Sequence, residues 1–156
     1  MTCLIREAAA AGAEFVALPE NALFVRHEPE AVAPIQALDG VHIERLRTLA
    51  GELAIWLLVG SFPETRPVKG RYYNTSVLID GSQPGAPVVA TYRKLHLFDV
   101  DIRGGTSIKE SDWIVSGDEM VCADLDGAGL GLTICYDLRF PTLYQRLVHE
   151  RGARLF

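Results

Sequence analysis

The pattern of apolar and polar positions along the chain has two periods, one typical of helices and one typical of strands. A helical rhythm occurs in segment 39–53, good helix-forming residues predict a helix over 3–11, and a third helix should open at Pro141 and run to about His149. Strands are predicted where apolar residues run together or alternate between turn residues. These strand segments are 14–20, 54–64, 72–80, 86–94, 120–125 and 129–136.

The connections indicate how these elements are arranged. "GSQPG" between the third and fourth strand segments and "DGAG" between the last two each predict a hairpin. The run 54–64 is apolar almost throughout, which is typical of a strand buried on both faces. Residues 95–118 lack a clear period and are predicted to be a long functional loop. Helix–strand alternation followed by hairpins favours an α/β class with a layered sandwich.

Both ends of the sequence read as interrupted. The first predicted helix has no strand before it, and "GARLF" at 152–156 begins a new apolar segment as the sequence stops. A complete sandwich would need further strands and helices to cover both faces. We therefore expect 1–156 to be a single partial domain.

Composition excludes several function classes. The 15 Lys and Arg residues are scattered in a chain of net charge −5, so a nucleic-acid partner is not expected. Apolar runs are shorter than the roughly 18 residues of a membrane span, so no membrane partner is expected. No basic apolar leader opens the sequence, and three irregularly spaced cysteines favour a reducing compartment, the cytoplasm. The four histidines lie far apart and no CxxC occurs, so no metal site is expected.

Cys135 is the candidate nucleophile. It ends the apolar stretch "GLTIC" and precedes charged residues, as a nucleophile at a strand-to-helix turn would. The alternative is a small buried hydrophobe, which is the commoner role of a free cysteine. Glu20 and Lys94 also follow predicted strands, although each alone would ordinarily be a solvated charge.

Three sequence blocks resemble the signature motifs of the nitrilase, or carbon–nitrogen hydrolase, superfamily. They are "LPEN" (18–21), "YRKLHLFD" (92–99) and "GLTICYDLRFP" (131–141), and they occur in the family's order. The resemblance implies a four-layer α-β-β-α sandwich, incomplete in this chain. It also implies that no metal or organic cofactor is needed, and that complete members form at least a dimer, a homo-oligomer.

The same resemblance implies roles for individual residues. Glu20 would be the general base, Lys94 the cation that stabilises the oxyanion, and Cys135 the nucleophile. Glu110, in "IKESD", would be a supporting second glutamate, the alternative being a solvated loop charge. The backbone N–H of Tyr136 would be the other oxyanion donor.

The residues after Cys135 favour one branch of the family. True nitrilases usually continue Cys-Trp-Glu, whereas "CYDLRFP" resembles the Nit branch of omega-amidases and deaminated-glutathione amidases. The implied substrate is a small carboxylate-bearing amide. Arg139 could hold that carboxylate bidentately, but a structural pair with Asp137 is the favoured role.

Two other functional interpretations stay open. The enzyme could hydrolyse a nitrile or a carbamoyl amine instead of an amide. The chain could also be an inactive fragment, because only 21 residues follow Cys135. An incomplete sandwich exposes sheet edges, so we expect the isolated chain to fold poorly or to depend on a partner. A monomeric chain that melts cooperatively would contradict that expectation.

Overall fold

The computed structural model describes residues 1–24, 35–65, 70–101, 105 and 107–156. Among these residues the helices are α1 (Thr2–Ala10), α2 (Val41–Leu53) and α3 (Pro141–Arg151). The strands are β1 (Phe15–Ala17), β2 (Trp56–Glu64), β3 (Tyr73–Asp80), β4 (Val88–Arg93), β5 (Asp99–Asp101), β6 (Ser107–Lys109), β7 (Cys122–Leu125), β8 (Ala128–Gly131) and β9 (Ala153–Leu155). Short 3₁₀ turns cover Glu110–Asp112 and Cys135–Arg139.

The strands form two main sheets. The first has the order β1-β2-β3-β4, with β1 parallel to β2 and the remaining pairs antiparallel. The second has the order β7-β8-β9, with β8 and β9 parallel. Both predicted hairpins are therefore confirmed, and "GARLF" does begin a strand.

The first core lies between helices and the four-stranded sheet. Ile5 of α1 and Ile43 of α2 pack against Leu57 and Val77, which point to the same face of β2 and β3. All four side chains are almost completely buried. The helical period of α2 predicts this face correctly, because Ile43 and its neighbours one turn apart are the residues that the sheet covers.

A second core joins the two sheets face to face. Leu78 of β3 and Tyr92 of β4 point to the opposite face of the first sheet, where they meet Leu130, Leu132 and Ile134. Strand β2 lies in both cores, since successive residues point to opposite faces. The prediction that the run 54–64 is buried on both faces is confirmed.

Helix α3 forms the fourth layer. Its Leu143 and Leu147 pack against Ala153 of β9 and against Cys122 of β7. The layers thus follow the order helix, sheet, sheet, helix. This is the α-β-β-α sandwich that the family resemblance implies.

Two sequence predictions need correction. Part of the loop predicted at 95–118 forms the β5–β6 hairpin, whose polar and mostly exposed residues hide the strand period; residues 102–104 and 106 lie outside the described part. The strand predicted over 129–136 ends as β8 at Gly131. Leu132 and Ile134 continue as extended chain buried in the second core, so apolar burial persists where the strand pairing has stopped.

Gly60 lets two segments pass at very short distance. A Cβ at this position of β2 would lie 1.9 Å from the Leu18 carbonyl oxygen and 2.3 Å from that of Pro19. Both contacts are with backbone, which cannot rotate away as a side chain can. Since Leu18 and Pro19 lead directly to Glu20, the missing side chain at Gly60 fixes where that carboxylate enters the site.

Replacing Gly60 by alanine should therefore destabilise the fold by about 3 kcal/mol, because the added methyl must push the backbone before Glu20 aside. Urea unfolding measures this loss. Gly51→Ala is the matched control. Its Cβ would lie 3.4 Å from the Ala86 Cβ in ordinary contact, and alanine in helix α2 should raise stability by roughly 0.5–1 kcal/mol. Equal effects of the two substitutions would contradict the backbone clash.

Candidate active site

Four predicted site residues line one cavity of about 250 Å³: Glu20, Lys94, Glu110 and Cys135. Each comes from the end of a different element. Glu20 lies beyond β1, Lys94 directly follows β4, Glu110 directly follows β6, and Cys135 opens a 3₁₀ turn. Segments far apart in sequence thus deliver their polar ends to a single cleft.

Lys94 is the centre of the charge arrangement. Its residue is 1% exposed, and its Nζ lies 3.0 Å from Glu110 Oε1 and 3.3 Å from Glu20 Oε1. Burial by itself would lower the pKa of this amine, but Glu110 and then Glu20 outweigh burial and raise the Lys94 pKa above its usual value. The lysine is therefore a fixed cation between two carboxylates.

Glu110 is held on both oxygens. Besides Lys94, it accepts a hydrogen bond of 2.6 Å at Oε2 from the backbone N–H of Phe98. Its side chain is only 12% exposed. The alternative of a solvated loop charge is therefore wrong for Glu110. Its carboxylate instead links the Phe98 backbone to the Lys94 ammonium group.

Cys135 occupies a backbone conformation that is unusual for its residue type. Its φ is +47°, in the left-handed region, which costs on the order of 1–3 kcal/mol and persists only where surrounding contacts enforce it. As a residue it is exposed, and it lines the cavity with the three charged groups. The turn thus presents the sulfur to the cleft, in the manner of a nucleophile elbow.

The surroundings of Cys135 raise its pKa and so favour the neutral thiol. Burial raises its pKa most, a hydrogen bond with Glu20 and the Glu20 charge raise it further, and Lys94 partly opposes them. A neutral thiol needs a base before it can attack. Glu20, which lines the same cavity, is the carboxylate available for that role.

The carbon–nitrogen hydrolase family model matches residues 1–156, the whole chain. The chain belongs to this family. It is 37% identical to the deaminated glutathione amidase of Synechocystis sp. over 98% of its own length, and 37% identical to omega-amidase NIT2 of Homo sapiens over 97%. These alignments cover 56% and 52% of the two relatives, so the chain spans about half their length.

Solved structures of this carbon–nitrogen hydrolase family have the same architecture. The NitFhit protein of C. elegans superposes with a TM-score of 0.75 at 34% identity, covering 91% of this chain and 34% of that protein. A mutant amidase from Nesterenkonia sp. AN1 superposes with a TM-score of 0.73 at 26% identity, covering 97% of this chain and 55% of the other. That structure shows acrylamide added to the amidase's active-site cysteine.

Tyr136 follows the cysteine in the carbon–nitrogen hydrolase turn. Its ring packs edge-on against Phe98, with centroids 4.9 Å apart, and against Phe140 at 5.5 Å. Its N–H belongs to the first residues of the 3₁₀ turn, where backbone donors lack partners within the turn. The rings hold the peptide next to Cys135 in place, as an oxyanion donor requires.

Arg139 does not join the other candidates. It is exposed and lines a separate cavity of about 250 Å³ with His96 and Arg146. The favoured pair with Asp137 is also wrong. Among the described residues, the hydrogen-bond partners of the Asp137 carboxylate are Tyr92, His96 and Ile134. The proximity of Arg139 in sequence is misleading, because the carboxylate turns into the core and the guanidinium turns out.

Asn74 is a site residue that the sequence prediction missed. Its Nδ2 donates a hydrogen bond of 2.9 Å to Glu20 Oε1, and its own backbone carbonyl accepts from the Lys94 N–H. The residue is 2% exposed, and within the described part of the chain its Oδ1 has no hydrogen-bond partner. An amide side chain in a strand otherwise buried was the available signal, since such groups are costly without a specific partner.

The described ranges of the chain contain no group of three or more His, Cys, Asp or Glu side chains that could hold a metal ion. Within the same ranges, none of the helices combines the length and apolar character needed to cross a bilayer.

Proposed function

We propose that this protein hydrolyses a small amide through a thioester on Cys135, with release of ammonia. One observation carries the proposal: Cys135 lines one cavity with Glu20, Glu110 and a buried Lys94 whose Nζ contacts both carboxylates. This arrangement supplies a nucleophile, a base and an oxyanion cation in one cavity.

The first half of the reaction forms the thioester. Glu20 takes the Cys135 proton as the sulfur attacks the amide carbon, and the carbonyl oxygen becomes an oxyanion. Lys94 Nζ and the Tyr136 N–H stabilise that oxyanion, each contributing on the order of 3 kcal/mol. Glu20 then delivers the proton to the leaving nitrogen, and ammonia departs.

The second half returns the free enzyme. Glu20 takes a proton from water, which attacks the thioester carbonyl, and the same two donors stabilise the second oxyanion. Collapse breaks the C–S bond, releases the acid and gives the proton back to sulfur. Glu110 touches no reacting atom in this scheme. It keeps Lys94 charged and tied to the Phe98 backbone.

An amide is preferred to a nitrile as substrate because of the relatives. Proteins named deaminated glutathione amidase and omega-amidase are similar over almost the whole chain. Their names support a carboxylate-bearing amide, whereas Arg139, the less favoured candidate for holding the carboxylate, lies in another cavity. The class of acyl group is therefore proposed from the relatives and the "CYDLRFP" motif.

The proposal extends to assembly and location. We infer a homo-oligomer for the complete protein, supported by exposed large apolar side chains such as Leu138 and Phe156. We also infer a reducing, cytoplasmic setting. The three cysteines are free, and a thiol nucleophile must stay reduced to act.

A substrate panel tests the proposed reaction. The chain is incubated with omega-amides of small dicarboxylates, the matching nitriles and N-carbamoyl amines, and ammonia is measured. We expect ammonia from the amides at a rate at least about tenfold above that from the nitriles. Turnover of nitriles alone, or of carbamoyl amines alone, would replace the amidase assignment. A folded chain that turns over none of these compounds would also overturn it.

A further inference from the structure

The carboxylate of Asp137 is completely buried and fully used. Its Oδ2 accepts from the Tyr92 hydroxyl at 2.6 Å and from the Ile134 N–H at 2.9 Å. Its Oδ1 lies 3.0 Å from the His96 backbone nitrogen and 2.7 Å from His96 Nδ1. Four hydrogen-bonding groups therefore converge on one side chain that has no contact with solvent.

These partners belong to two parts of the site. Ile134 directly precedes Cys135, and Asp137 lies in the turn that Cys135 opens. Tyr92 and His96 lie two residues before and two residues after Lys94. The Asp137 carboxylate thus links the turn that contains Cys135 to the segment that contains Lys94. It contacts that segment at one residue before Lys94 and at one residue after it.

Burying the Asp137 carboxylate is unfavourable in free energy, which indicates that the residue has a specific role. A buried carboxylate is strongly unfavourable unless several donors satisfy it, and removing it leaves those donors unpaired. The left-handed φ of Cys135 is likewise unfavourable unless neighbouring contacts enforce it. The hydrogen bond to the Ile134 N–H holds the backbone of the residue just before that strained residue.

We propose that Asp137 is a positioning residue that fixes the Cys135 turn against the Lys94 segment and so sets the placement of the thiol beside Glu20. It touches no reacting atom and acts through Ile134, Tyr92 and His96. The catalytic value of this placement rests on the amidase function proposed above. The placement itself can be measured without turnover.

Alkylation of Cys135 by iodoacetamide, followed by peptide mass spectrometry as a function of pH, reports that placement. Exposed Cys3 in the same chain serves as the internal reference thiol. In Asp137→Asn, the alkylation midpoint of Cys135 should move to lower pH by about one unit, because a loosened turn takes the thiol away from burial and from Glu20. Asp137→Glu should show the same shift, although it keeps the charge, because the longer side chain cannot keep all four contacts.

Asp80→Asn is the matched control. Asp80 is a buried carboxylate with hydrogen bonds from Ser82 and Gln83 in the turn after β3, remote from the cavity. This variant should lose stability while the Cys135 profile stays unchanged. Tyr92→Phe removes one of the four contacts at nearly constant shape. It should shift the profile in the same direction by a smaller amount.

Specific outcomes would overturn the positioning role. If folded Asp137→Glu shows the wild-type alkylation profile, the lost charge alone would explain any shift in Asp137→Asn. The positioning role would then be rejected. If both Asp137 variants fail to fold, Tyr92→Phe decides, and an unchanged profile in it rejects the proposal. Because alkylation needs no substrate, a shifted profile in a chain that hydrolyses no amide would support the positioning role and reject only the proposed reaction.

Discussion

Replacing Cys135 by alanine should abolish ammonia release from amides, by at least about 10⁴-fold. Alanine removes the sulfur that forms the thioester but leaves Glu20, Lys94 and the cavity in place. The fold should survive, because alanine and cysteine have similar difficulty in adopting the φ of +47°. Ammonia release and urea unfolding of the same preparation measure both expectations.

Cys122→Ala provides the control for this loss. Cys122 is a half-buried free cysteine of β7 that packs near α3 and does not line the cavity. This variant should keep wild-type ammonia release within about twofold, at a small cost in stability from the lost packing. Full amide hydrolysis by Cys135→Ala would show that another group is the nucleophile.

Replacing Lys94 by methionine should have the second largest effect. The rate of ammonia release should fall by about 10²- to 10³-fold, because the oxyanion loses its cation. Stability should also fall, by about 3 kcal/mol at pH 8, since Glu20 and Glu110 then face each other without a positive charge. Methionine is unbranched and only one heavy atom shorter than lysine, so it fills most of the same space.

The pH dependence of this variant has a definite sign. Without the cation, the negative charges of Glu20 and Glu110 repel each other in the folded protein, and protonation of a carboxylate relieves that repulsion. The destabilisation is therefore smaller at low pH and is fully present at high pH. Lys94→Met should therefore be closer to wild type at pH 5 than at pH 8.

Lys109→Met is the control for charge alone. Lys109 precedes Glu110 in the chain but is exposed. Its substitution should leave ammonia release and the pH dependence of unfolding nearly unchanged. If Lys109→Met matched Lys94→Met, net charge rather than the buried contacts would explain both results.

In the wild-type protein, the contacts of Lys94 with Glu110 and Glu20 affect stability mainly at high pH. The folded-state pKa of Lys94 is raised above its usual value of 10.5 by Glu110 and Glu20. A raised lysine pKa stabilises the fold below the unfolded pKa, and that stability is lost as pH rises through the folded value. The chain should therefore lose stability above about pH 10.5 more steeply than Lys94→Met does.

Periodicity was enough to predict most of the fold. The α2 period identified the residues that the sheet buries, and the run 54–64 correctly indicated cover on both faces of β2. The β5–β6 hairpin escaped prediction because its short strands are largely exposed and carry no apolar period. The end of β8 was misplaced because burial continues through Ile134 after pairing has ended.

The candidate site depended on motifs more than on physical patterns. Glu20, Lys94 and Cys135 each follow an apolar segment, but only the resemblance to known motif blocks placed them in a common cavity. Their chemical roles stay predictions. The contacts of Asn74 and Asp137 were not predictable, since the direction of a polar side chain depends on tertiary neighbours far away in sequence.

The sharing of Lys94 by two carboxylates affects how favourably the cavity binds neutral and negatively charged molecules. Glu20, Glu110 and Lys94 together carry a net charge of −1 when the thiol is neutral. At about 4 Å, two like charges repel by around 1 kcal/mol in water and about 4 kcal/mol near a protein surface. In the proposed reaction, a neutral amide group would enter this end of the cavity without that penalty, whereas the newly formed carboxylate would meet it at once. The product should therefore be bound poorly, and the reverse reaction should begin from that poorly bound state.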